Sequence, residues 1–161
     1  RYARGVDRRD GTIIGECFHK GASMHYGDFD DRVEAFVPWV LAYLEPYSAT
    51  MHVMEATIID WPVGGNDVAI SETYATVWHE VAADQPGRSW VGGIRYIDRF
   101  ELQIPDGGGE PQWRIAERTV VGDLLRIDPS ENHRRFADVM LTGKPSRKDP
   151  IFGQLARHGG Q

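Results

Sequence analysis

Between residues 33 and 44 apolar side chains recur every three or four positions, at Val33, Phe36, Val37, Val40, Leu41 and Leu44. That period predicts an amphipathic helix, capped by Asp30 or Asp31 and running to about Tyr47, with Pro38 as a kink inside it. Beyond residue 47 the pattern changes to alternation, rich in β-branched and aromatic residues. It predicts strands over 48–60, 67–83, 89–104 and 112–125, separated by turn-rich segments at 61–65, 84–88 and 105–111. Ahead of the long helix, residues 1–9 predict the end of a helix. Residues 12–19 predict a short helix with an Ile13, Ile14, Cys17, Phe18 stripe, and residues 21–29 a brief edge strand. A short helix is expected over 132–140, and the Gly-, Pro-, Lys- and Arg-rich residues 141–161 form a tail.

Helices first and a strand meander afterwards define an α+β chain. Strands joined in series by short loops form an antiparallel, curved sheet. One face of that sheet must be buried, and the N-terminal helices cover only part of it. The remainder closes into a cone with an open mouth. Residues 1–140 are expected to make one such domain. Gly92-Gly93, inside a strand pattern, predicts a bulge or a close approach.

Composition narrows the chemistry. The 161 residues carry a formal charge of −6, which argues against a nucleic-acid surface. No apolar run reaches the roughly 20 residues needed to span a bilayer, so no membrane partner is expected. One cysteine, Cys17, excludes an internal disulfide and a multi-Cys metal centre, and a reducing, cytoplasmic setting follows by default. The six histidines lack ligand spacing, and neither a phosphate-binding glycine motif nor a nucleophile elbow is present. No metal and no cofactor are expected.

An acid–base pair remains. His52 heads the first long strand, where alternation places Met54, Ala56 and Ile58 on its face. A core histidine with satisfied nitrogens is the bland account. Asp7 closes the first helix, where a carboxylate opposes the helix dipole. An Asp bonded to one ring nitrogen of a histidine fixes its tautomer and leaves the other as a base. Tyr2 lies five residues before Asp7, roughly 140° round an ideal helix, so its phenol can reach the same pocket only from the flank or where the helix end is irregular.

Four segments, taken together, carry a family likeness. They are Arg1-Tyr2-Ala3-Arg4-Gly5-Val6-Asp7-Arg8-Arg9-Asp10, Tyr47-Ser48-Ala49-Thr50-Met51-His52, Val91-Gly92-Gly93-Ile94-Arg95-Tyr96-Ile97-Asp98-Arg99-Phe100-Glu101 and Trp113-Arg114-Ile115-Ala116-Glu117-Arg118. In this order they resemble the SnoaL-like branch of the nuclear-transport-factor-2-like superfamily over about residues 1–126. The resemblance implies a strongly curved antiparallel sheet wrapped on N-terminal helices around a deep apolar pocket. Lyases of that superfamily, of the scytalone dehydratase, bile-acid 7α-dehydratase and hexachlorocyclohexane dehydrochlorinase kinds, use an Asp–His pair. Their Asp matches Asp7 and their strand His matches His52. A polar residue five positions before the Asp falls on Tyr2, and a pocket Arg falls on Arg118.

These readings converge on a cofactor-independent lyase or isomerase, of dehydratase, dehydrohalogenase or cyclase type. His52 removes a proton, Asp7 orients it, and Arg118 and Tyr2 polarise a carbonyl or help a leaving group depart. The substrate is a small, mostly apolar ring compound, with His25, Met54, Glu72 and Asp98 as further candidate contacts. The alternative is a non-catalytic binding or subunit-interaction module of the same fold. Alternation puts Arg114, Ala116 and Arg118 on one face, with Asp98 and Glu72 as possible partners for Arg118. An outer sheet face carrying Trp78, Trp90 or Tyr96 predicts a homo-oligomer, dimer or trimer.

Overall fold

Glycine at position 5 lets two short helices meet. A β-carbon there would lie 2.9 Å from the backbone nitrogen of Ile14, so only glycine fits without a shift. Helices α1 (Tyr2–Asp7) and α2 (Gly11–Gly15) therefore cross in close contact, and Asp10 caps α2 by accepting from Ile13 N at 3.1 Å. The computed structural model describes residues 1–62, 67–82, 88–128, 146–148 and 152. The expected helix over 132–140 lies outside the described residues, as does most of the tail.

The remaining elements are β1 (Phe18–Tyr26), β2 (Phe29–Arg32), α3 (Val33–Leu44), β3 (Tyr47–Asp60), β4 (Val68–Val81), β5 (Ser89–Gln103) and β6 (Gln112–Asp128). They build one curved six-stranded sheet in the order β2-β1-β6-β5-β4-β3. All pairings are antiparallel except β1 with β6. The helical face of α3 follows its period: Val33, Phe36, Val40 and Leu44 are buried against Phe18, Met24, Tyr96 and Ile115. Pro38 sits inside the helix but on its exposed side.

Several boundaries differ from expectation. The second helix stops at Gly15, and Phe18 and His19 already belong to β1. Backbone pairing with β6 outweighs the weak helical stripe there. β1 is an interior strand rather than an edge, since β2 lies outside it. Helix α3 has Arg32 at its N-cap, with no capping side chain from Asp30 or Asp31.

Bulges reset the alternation. Met54 pairs with Ala75 but Thr57 with Thr73, so β3 carries one extra residue. Thr57 and Ile59, rather than Ala56 and Ile58, continue the inner face of His52 and Met54. Arg99 pairs with Glu117 but Phe100 with Ile115, so Arg118 shares the inner face with Ile115 and not with Arg114. Another irregularity follows Gly93, as the Gly92-Gly93 pattern predicted. The outer-face expectation is corrected for two residues. Tyr96 is fully buried in the core, and Trp90 packs on the inner-face His79, so of the three only Trp78 faces outward.

Candidate functional site

The turn between α1 and α2 aims Asp7 at the sheet. Arg9 adopts φ 51, and its guanidinium donates to the Tyr47 carbonyl at the start of β3. This ties the end of α1 to the strand that holds His52. The Asp7 carboxylate accepts three bonds there: from Thr50 Oγ1 at 3.1 Å, from the His52 backbone N–H at 3.0 Å, and from His52 Nδ1 at 2.6 Å. A carboxylate can only accept, so Nδ1 carries a proton and Nε2 is left as the basic nitrogen. The His52 side chain is 4% exposed and that of Asp7 10%.

His79 flanks the pair. Its ring meets that of His52 edge-on at 5.5 Å and stacks on Trp90 at 4.0 Å. Glycine at 92 makes room, because a β-carbon there would strike the Trp90 ring at 2.9 Å. Burial, and secondarily the nearby charge of His52, push the His79 pKa down to about 3. His79 is thus a neutral wall beside His52.

A cavity of about 620 Å³ opens on the inner face of the sheet. Tyr2, Met54, Ser71, Thr73, Asp98 and Arg118 are among its walls, and Trp61 and Trp113 meet edge-to-face at 5.6 Å near its rim. Neither Asp7 nor His52 borders it. Met54, the next residue on the face of His52, does. Arg118 is held by Asp98 in a two-pronged bond, Nε to Oδ1 and Nη2 to Oδ2, each 2.7 Å. The Tyr2 ring lies 4.1 Å from the Arg118 guanidinium carbon. Burial drives the Tyr2 phenol far above its ordinary pKa, so it stays a hydroxyl.

The predicted residues divide clearly. Asp7 meets His52; Tyr2 joins Arg118 instead of the dyad. Met54 and Asp98 border the cavity. His25 does not: half-exposed on β1, it pairs with Asp30 at 2.8 Å. Glu72 points outward and pairs with Arg95 at 2.7 Å, so it is corrected as a partner of Arg118 and as a cavity contact. Thr50 and His79 escaped the sequence reading. Thr50 was accessible to it, being two residues before His52 on the same face. Among the described residues no three His, Cys, Asp or Glu side chains converge as a metal-ligand set, and no helix is long and apolar enough to cross a membrane.

Residues 1–119 match the family described as SnoaL-like domain. The chain belongs to that family. This SnoaL-like domain also shares its fold with solved structures. A hexachlorocyclohexane dehydrochlorinase, LinA type 2, superposes with a TM-score of 0.67 at 13% identity, covering 86% of this chain and 88% of that one. A candidate scytalone dehydratase from Novosphingobium aromaticivorans DSM 12444 gives 0.64 at 16% identity, covering 84% and 83%. The Kfla4162 protein from Kribbella flavida gives 0.63 at 15% identity, covering 78% and 85%. No curated protein matches the sequence. At these identities the structural likeness establishes the cone fold. Proteins named as dehydratases and dehydrochlorinases share it.

Proposed function

We propose that this SnoaL-like domain is a cofactor-independent lyase or isomerase acting on a small, mostly apolar ring compound. The observation that carries the reading is the 2.6 Å bond between Asp7 and His52 Nδ1, which prepares Nε2 as a base two residues along β3 from Met54, a wall of the cavity. His52 Nε2 takes a proton from carbon. The C–H electron pair then forms a new C=C as a leaving group departs with its bonding pair, or it is held as an enolate. Asp7 stabilises the imidazolium that results. Arg118 and Tyr2 polarise the oxygen or leaving group from the cavity wall.

The test is deuterium wash-in from heavy water, and product formation, across a panel of cyclic ketones, alcohols and chlorinated cyclohexanes. The wild type exchanges or eliminates on at least one member, and His52→Gln lowers that rate by roughly 10²–10⁴-fold. Equal rates in both proteins refute the assignment.

A second reading, a non-catalytic binder, is favoured by one fact: neither member of the dyad borders the cavity. Panel members that bind wild type and His52→Gln alike, without exchange in either, would establish it. In both readings the outward sheet face, with Met51, Ile58, Tyr74 and Leu124 exposed, joins a second copy in a dimer or trimer. A monomeric mass by light scattering at micromolar concentration refutes that assembly. The single Cys17 suits a reducing, cytoplasmic setting.

A further inference from the structure

Arg118 and Asp98 stand directly opposite each other on β6 and β5, and both are 3% exposed. Asp98 occupies Nε and Nη2 of the guanidinium. The rings of Tyr2 and Tyr96 pack on its plane at 4.1 and 4.3 Å from the central carbon, with Phe18 at 5.4 Å. What remains is Nη1, buried and without a hydrogen-bond partner. Burial works against the charge, but the Asp98 carboxylate overrides it and holds the Arg118 pKa above its ordinary value. Nη1 is therefore a permanently protonated donor with no acceptor. A buried donor in that condition costs free energy that an incoming acceptor would recover.

Arg118, Asp98 and Tyr2 all border the cavity, and Ser71 and Thr73 lie in the same wall. The charge balance at this wall decides which acceptor suits it. Asp98 already cancels the guanidinium, so a carboxylate would lose its hydration without gaining a net counter-charge. It would also stand close to the carboxylate of Asp98. A ketone or quinone-type carbonyl loses little hydration and gains a charge-assisted bond from Nη1.

We propose that the Arg118–Asp98 pair forms a subsite for a neutral carbonyl oxygen, and that Asp98 is the specificity-determining residue that excludes carboxylates. The inference rests on the proposed reading of this cavity as the ligand site, and it narrows the ring compound to one bearing an uncharged carbonyl.

The experiment is calorimetric titration with two probes of similar shape, 1-tetralone and 1-naphthoate. Wild type is expected to bind tetralone at least ten-fold more tightly than naphthoate. Asp98→Asn keeps the shape and one acceptor but frees the positive charge, and it should bring that ratio to one or below. Asp98→Glu keeps the charge and should preserve the preference. Wild type binding naphthoate as tightly as tetralone, or binding neither, overturns the proposal whether or not the variants fold. An unchanged ratio in folded Asp98→Asn overturns it too. Titrating the His52→Gln protein separates this inference from catalysis. Carbonyl preference without turnover in any protein would refute only the lyase reading, and turnover without carbonyl preference only the subsite.

Discussion

The inner face of the sheet holds two acid–base pairs built on opposite plans. Asp7 and His52 come from a helix end and a strand, 45 residues apart, and the carboxylate supports one ring nitrogen while sparing the other. Asp98 and Arg118 come from neighbouring strands in register, and the carboxylate takes up two of the three guanidinium nitrogens. The first arrangement leaves a proton acceptor available. The second fixes a charge permanently and leaves a single donor. A pair that leaves a ring nitrogen uncommitted can still take up a proton, whereas one that commits two of three guanidinium nitrogens holds its charge in place.

Asp7→Asn strikes the first pair hardest. The amide cannot accept from Nδ1 in the same way and can turn its NH₂ toward the ring, which favours the wrong tautomer. On an active member of the panel, turnover should fall by about 10³–10⁴-fold, with little change in the urea midpoint. Asp98→Ala tests the other pair and should show the reverse emphasis. It strands a buried guanidinium and is expected to cost about 3–5 kcal/mol in urea unfolding. If Asp98→Ala unfolds no more easily than wild type, the second pair is not structural and the contrast fails.

His79 stands beside the first pair and titrates against folding. Its pKa falls from 6.5 to about 3 on folding, so protonation favours the unfolded chain. The associated stability is fully present above pH 6.5 and is lost as pH falls toward 3, at up to about 1.4 kcal/mol per pH unit. Urea unfolding at pH 7 and pH 5 should show this slope in wild type and a flatter one in His79→Phe. The smallest effect belongs to Arg95 on the outer face, which bonds Asp123 and Glu72 with geometry as good as that of Arg118. Water screens those charges, so Arg95→Ala should leave the melting temperature within experimental error. A large drop would show that geometry rather than burial sets the worth of these pairs.

The sequence made the element order legible because period-3.6 and period-2 patterns survive where one face is buried. Phe36, Val40 and Leu44 on α3, and Ala75 and Val77 on β4, follow it directly. It misled wherever one extra residue shifted the alternation. Ile58 and Arg114 were assigned to the wrong face because the bulges after Met54 and Ile115 leave no clear residue signature. Asp7 was suspected from its misfit with the helix dipole and its place in a family pattern, since no spacing rule connects residues 7 and 52. Asp98 was named correctly as a candidate partner of Arg118. Glu72 was named beside it because cross-strand register, which places Glu72 opposite Ile97, depends on loop lengths and bulges together.

The parallel pairing of β1 with β6 has a consequence in time. Phe18 joins Ile115, and His25 joins Thr119, so the first strand finds its long partner only near the end of the sheet. Contacts that close so large a loop form slowly, because chain entropy is lost before they repay it. On a ribosome, β3, β4 and β5 can form their hairpins while β1 still waits with one edge unpaired. The pocket wall bearing Arg118 is translated after the dyad residues, so the cavity takes shape only once β6 has docked. Folding intermediates of this chain should therefore expose β1 and the inner face of β5 to chaperones or to another copy, and the cavity should be among the last parts to mature.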